Sequence, residues 1–198
     1  MDFIFEHIGF IAGALSFFAY LVYIFSILKK ETRPSRSTWW ILTFVGTIII
    51  WSSYILGARE NLWIQGSYVL GPLIIAILSL KYGEGSGFSK LDKICFAGAL
   101  VSCLGWIIFN SPLIAFLGSI IVDFIGLLPT IKKSFYKPEE EDPNAWLIET
   151  TASILSMLAV TVWFTLDQKD WIYALYLFLV NFSITFLLWR KRIFNQST

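Results

Sequence analysis

The sequence predicts an all-α membrane protein: seven transmembrane helices forming two parallel three-helix bundles joined by a linker helix. Three observations lead there. Hydrophobic residues make up 57% of the 198-residue chain and charged residues 15%, with a mean hydropathy of +0.69. A soluble fold of this length could not hide so much apolar surface. The apolar residues gather into seven stretches, each near the roughly 20 residues a helix needs to cross the hydrocarbon. The first three stretches also resemble the last three.

In order, the spans are Ile8–Leu28, Thr38–Gly57, Leu62–Leu80, Leu91–Phe109, Leu113–Ile131, Ala145–Leu166 and Trp171–Trp189. The connections are short, so residues 1–198 form a single membrane domain. Within it, 8–80 is the first triple-helix bundle, 91–109 the linker helix and 113–189 the second bundle. The first span is expected to be retained, because Met1–His7 carries Asp2 and Glu6 and neither Lys nor Arg. A cleaved signal peptide wants a basic start and a small-residue cleavage site. Gly9 and Gly13 form a GxxxG pair, a surface for helix packing inside the bundle or between copies in a homo-oligomer.

Pro34-Ser35-Arg36-Ser37-Thr38 starts the second helix, with Ser37 as its N-cap. The third carries Gly71-Pro72 at its centre; Pro removes a backbone donor and kinks a helix, which makes Pro72 a hinge candidate. The fourth holds Cys95 and Cys103, about two turns apart and too distant to pair within one regular helix. Pro129 gives the fifth helix a second hinge candidate. Between helices 5 and 6, Glu139–Asp142 follows three Lys and reads as a solvated turn. Gly83–Gly87 reads as a flexible turn, because it lacks the lysine and helix context of a phosphate-binding loop.

Charge placement supports both span count and orientation. Lys29, Lys30, Arg33 and Arg36, then Lys81, Lys90 and Lys93, then Lys132, Lys133 and Lys137, and last Arg190, Lys191 and Arg192 all fall on one side of a seven-span arrangement. Of the 15 basic residues only Arg59 and Lys169 fall on the other. The basic side is the cytoplasmic one, which puts the N-terminus outside and the C-terminus inside. All nine Trp lie near span ends and read mostly as interfacial anchors; Trp51 and Trp163 lie deepest and are candidates to line a cavity. A net charge of +1 implies no nucleic-acid partner.

Aligned on itself, the chain matches Ser16 with Ser119, Lys29-Lys30 with Lys132-Lys133, Trp39 with Trp146, Thr43 with Thr150, Trp63 with Trp171 and Tyr68 with Tyr176. The spacing drifts because the second copy has the longer first loop, Tyr136–Asn144. Helices 1 and 5 are four spans apart and so cross in the same direction. The repeats are therefore parallel, with the fourth helix as an inversion linker.

This 3+1+3 plan, the outside N-terminus and the endings of helices 1 and 5 resemble the SWEET and PQ-loop superfamily of seven-helix transporters. The chain departs from the superfamily's Pro-Gln signature: helix 5 has Pro129-Thr130 at that place and helix 1 has Ser26-Ile27, without Pro. Tyr23–Trp40 and Asp123–Trp146 also resemble an uncharacterised bacterial seven-span family. The ending DWIYALYLFLVNFSITFLLWRKR is similar to vitamin transporters of the nicotinamide riboside type. The resemblance implies a substrate site near midplane between the bundles. It also implies a role for a midplane Asn of the last helix, which Asn181 matches. Sorting receptors share the fold, so a receptor or interaction subunit is the alternative.

Polar residues within spans usually face the interior. Ser119, Asp123, Gly126 and Thr130 fall on one face of helix 5, and Gly9, Gly13, Ser16, Tyr20 and Tyr23 on one face of helix 1. Asp123 is the most pointed of them: a carboxylate at mid-span costs about 3 kcal/mol, and it reads as a substrate acceptor, a proton-coupling site or an interhelical hydrogen-bond partner. Helix 6 carries Glu149, Ser153, Ser156 and Trp163 on a stripe, with Glu149 as a gate residue or a dipole-favoured carboxylate. The expected substrate contacts are Tyr20, Asp123, Ser153, Ser156 and Asn181. The only His is His7, and the enzyme motifs HExxH, Cys-His and Walker are missing, so neither catalysis nor a metal or cofactor is expected. The expectation is a bacterial inner-membrane carrier of a sugar-like or similar uncharged solute, since no cation is well buried to meet an anion.

Overall fold

The computed structural model describes residues 7–58, 61–83, 90–162 and 168–195. Asp2, Glu6, Arg59, Trp163 and most of the Gly83–Gly87 turn lie outside them. The described residues form seven α-helices and no β-strand: α1 (Ile8–Leu28), α2 (Arg36–Ile55), α3 (Asn61–Tyr82), α4 (Lys90–Phe109), α5 (Pro112–Tyr136), α6 (Pro143–Val162) and α7 (Gln168–Asn195). A single 3-10 turn, Pro138–Glu140, lies between α5 and α6. Among the described residues five helices are long and apolar enough to cross a membrane: α1, α2, α3, α5 and α7. The apolar part of α4, Lys93–Phe109, is shorter. Phe18, Phe25, Ile107, Ile108, Phe182 and Phe186 point outward, exposed, as lipid-facing side chains of an integral membrane protein do.

Local chemistry sets the helix ends. Lys30, Gly57 and Asn110 each take a left-handed backbone, with φ of 64°, 97° and 48°. The amide after each one reaches back five residues: Glu31 N–H to the Ser26 carbonyl, Ala58 to Ser53, and Ser111 to Trp106. That is the Schellman closure, which satisfies carbonyls a helix end leaves orphaned. Pro112 opens α5 at a position where a missing N–H costs nothing. The Asp142 carboxylate caps α6 by accepting from the backbone N–H groups of Asn144 and Ala145. The second helix starts two residues earlier than the sequence suggested. Ser35, not Ser37, is its N-cap, and Thr38 donates to the Ser35 hydroxyl instead of to solvent.

Residue pairs fix the helix directions. Gly13 lies on Trp63 and, two turns on, Gly71 lies on the Tyr20 ring, so α1 and α3 run parallel. Gly46 meets the backbone of Tyr68, and Arg36 donates to the carbonyls of Ser79 and Leu80, so α2 runs against α3. In the second half α5 and α7 run parallel, through Phe116–Tyr173 and Arg190 on the Phe135 carbonyl. There α6 opposes α7, through Thr150–Thr185 and Trp189 on the Pro143 carbonyl. The two halves meet where α1 packs on α6 and α2 on α5. The basic ends of these six helices consequently gather at one end of the bundle. Pro72 and Pro129 lie inside helices that continue through them.

Candidate functional site

Where α1, α2 and α3 meet α5, α6 and α7, the side chains enclose a narrow cavity, with about 40 Å³ open to the centre of a water molecule. Its walls are Tyr20, Tyr23, Trp39, Leu42, Tyr68, Leu127 and Trp146, and its polar groups come from Asp123, Glu149 and Asn181. The polar faces that the sequence placed on α1 and α5 are both buried. Tyr20 stands edge-on to both Trp39 and Tyr68, at 6.3 and 5.7 Å between ring centroids, an arrangement aromatic quadrupoles favour. The room for Tyr20 comes from Gly71, whose missing Cβ would otherwise lie within the Tyr20 ring.

Two carboxylates face this space. Asp123, 6% exposed, accepts from the Tyr176 hydroxyl at 2.5 Å. Glu149, also 6% exposed, has the Ser16 hydroxyl 2.9 and 3.0 Å from its two oxygens and accepts from Tyr68 at 3.2 Å. Two further groups extend that network: Ser67 donates to Ser16 at 2.6 Å and Asn181 Nδ2 to the Tyr68 hydroxyl at 2.7 Å. Buried polar groups are tolerated when satisfied in this way. Among the described residues neither carboxylate has a cationic partner.

At the basic end a third acid closes the bundle. Glu141 is 4% exposed, which corrects the expectation of a wholly solvated turn at Glu139–Asp142. One oxygen pairs with Lys133 Nζ at 2.6 Å; the other accepts from the Tyr23 hydroxyl at 2.9 Å and Trp146 Nε1 at 3.1 Å. Lys133 also donates to the Arg33 carbonyl at 2.9 Å. The latch therefore ties the loop after α1 and α1 itself to the ends of α5 and α6. The turn supplies both this buried acid and the exposed Lys137–Glu140 pair.

Of the expected contacts, Tyr20, Asp123 and Asn181 come together on the cavity. Ser153 and Ser156 are buried on α6 away from its walls, and the Ser153 hydroxyl is turned back onto the Thr150 carbonyl of its own helix. Trp51 is 60% exposed and faces outward. Trp39 and Trp146, read as anchors, are instead buried in the walls, because their rings fill the gap between the halves. Glu149, two turns inside α6, belongs to the cavity and not to the helix start. Sequence reasoning missed Tyr68, Tyr176 and the two wall Trp as site residues. The signal was their pairing in the self-alignment, where aromatic side chains recur at matched positions. Cys95 and Cys103 are both unbridged.

No family model, curated protein or solved structure matches the chain.

Proposed function

We propose that this protein is a membrane carrier for a small polar solute, working by alternating access between two triple-helix bundles in a 3+1+3 arrangement. The observation that carries the reading is the enclosed cavity between the halves, lined by Tyr20, Asp123, Glu149 and Asn181. Intramembrane ionisable groups of this kind mark substrate and ion pathways. The helix packing supports the repeat: exchanging α1 with α5, α2 with α6 and α3 with α7 turns the pairs α1–α3, α2–α3 and α1–α6 into α5–α7, α6–α7 and α5–α2, all of which pack. Matched residues also do matched work. Trp39 and Trp146 both line the cavity, and Tyr68 and Tyr176 each donate to a carboxylate. In this reading the chain crosses a bacterial inner membrane seven times with α4 as the linker, and the excess of Lys and Arg at the basic end supports its assignment to the cytoplasm.

A cavity of this size has room for water and is too small for a metabolite. Entry requires the bundles to part, and the Glu141–Lys133 latch closes the basic side. Purified protein in proteoliposomes, offered a panel of neutral, cationic and anionic solutes, tests the reading. Saturable uptake of at least one solute is expected, reduced about tenfold or more in Asp123→Asn and Asn181→Leu. Flux no greater than in protein-free vesicles across the panel would refute it.

A further inference from the structure

The cavity has charge and hydrogen-bonding capacity that its own residues do not satisfy. Among the described residues no hydrogen bond reaches the second oxygen of Asp123, the carbonyl oxygen of Asn181 or the hydroxyl of Tyr20. All three residues are more than nine-tenths buried and line the cavity. Two of those three free atoms are acceptors only. Glu149, on the same cavity, already takes its donors from Ser16 and Tyr68. Two carboxyl groups thus face one space, and no Lys, Arg or His is among the described residues that line it. A buried carboxyl gives up its proton when something of opposite sign accompanies it.

The remaining wall is apolar and largely aromatic, with Tyr20, Tyr23, Trp39, Tyr68 and Trp146 beside Leu42 and Leu127. Tyr23 and Trp39 pack at 5.2 Å between centroids, and Tyr20 joins them through Trp39. Aromatic faces attract cations and repel anions. Carboxyl groups and aromatic rings on one cavity, with unpaired acceptors among them, match a solute that carries positive charge on a body with apolar surface. A sugar would satisfy the acceptors but gain nothing from the attraction of the carboxyl oxygens and ring faces for positive charge.

Resting on the carrier reading above, we infer that the solute is a small organic cation, held by Asp123 and Glu149 and boxed by Tyr20, Trp39, Tyr68 and Trp146. Asp123 supplies the charge-assisted contact through its free oxygen. The Asn181 carbonyl takes a second N–H or O–H, and the rings enclose the alkylated or planar remainder.

The test compares charge at constant shape in the wild-type protein. Binding of choline, N-methylpyridinium and agmatine to detergent-purified protein is measured by equilibrium dialysis. The comparison ligands are 3,3-dimethylbutan-1-ol, the neutral isostere of choline, and glucose. At least one cation is expected to bind at least about tenfold more tightly than every neutral compound. Asp123→Asn and Glu149→Gln, each isosteric, should remove that preference while the protein still elutes as a folded species. A neutral compound binding as tightly as the cations overturns the inference, and so does failure of all three cations. Uptake of neutral solutes in the proteoliposome assay, measured separately, then shows whether the carrier reading survives without it.

Discussion

Replacing Glu141 by Gln should loosen the basic end of the bundle selectively. The substitution keeps an oxygen to accept from Tyr23 and Trp146 and removes the charge that holds Lys133 at 2.6 Å. Stranding one partner of a fully buried ion pair costs about 3–5 kcal/mol. Lys133 keeps 10% side-chain exposure at the bundle end and can turn its ammonium toward water, so the loss is closer to the roughly 2 kcal/mol of a charge-assisted hydrogen bond. For a chain of this size that lowers the melting temperature by about 4–8 °C, measurable in detergent by intrinsic fluorescence. If parting the bundles breaks the pair, the same energy raises the basic-side-open population about 30-fold. Lys133→Met is the partner in a double-mutant cycle: the double variant should recover part of the loss, because no charge is then stranded. Unchanged melting in Glu141→Gln, or single effects that simply add, would refute the latch.

Tyr68→Phe removes one donor to Glu149 and the acceptor for Asn181. At the roughly 0.6–1.7 kcal/mol typical of hydrogen bonds between membrane helices, about 1–2 kcal/mol should be lost by chemical denaturation, and no loss would contradict the network. Gly71→Ala puts a methyl group into the Tyr20 ring; overpacking of this kind costs about 1–3 kcal/mol, and Tyr20→Ala in the same chain should relieve it. Lys30→Gly frees a left-handed position at the end of α1, where a side chain costs about 1 kcal/mol. It should raise stability in the same assay, and a fall would show that the Lys30 side chain contributes more than its backbone costs.

Much of this arrangement could be read from the chain because lipid imposes a simple rule. Apolar stretches must be helices, and the polar residues left within them must face one another. That rule found the buried faces of α1 and α5 and brought Tyr20, Asp123 and Asn181 to one place. It could not tell a polar residue that lines a cavity from one bonded along its own helix, and Ser153 is the second kind. It also misread Trp39 and Trp146, because position near a span end says nothing about which way a ring faces. Glu141 was hidden by its neighbours. In an acidic run, the one residue turned inward is chosen by partners distant in sequence, Tyr23 and Lys133.

The most direct test follows the cavity itself. With Cys95 and Cys103 replaced, a cysteine at Ala19, buried on the cavity wall, is exposed to a membrane-impermeant thiol reagent from each side of sealed vesicles. Phe18→Cys, facing outward, serves as the lipid-facing control. Reaction at position 19 from both sides is expected, faster from the basic side alone when Glu141→Gln is added. Reaction from one side only, or from neither under any condition, would contradict a cavity that opens alternately across the membrane.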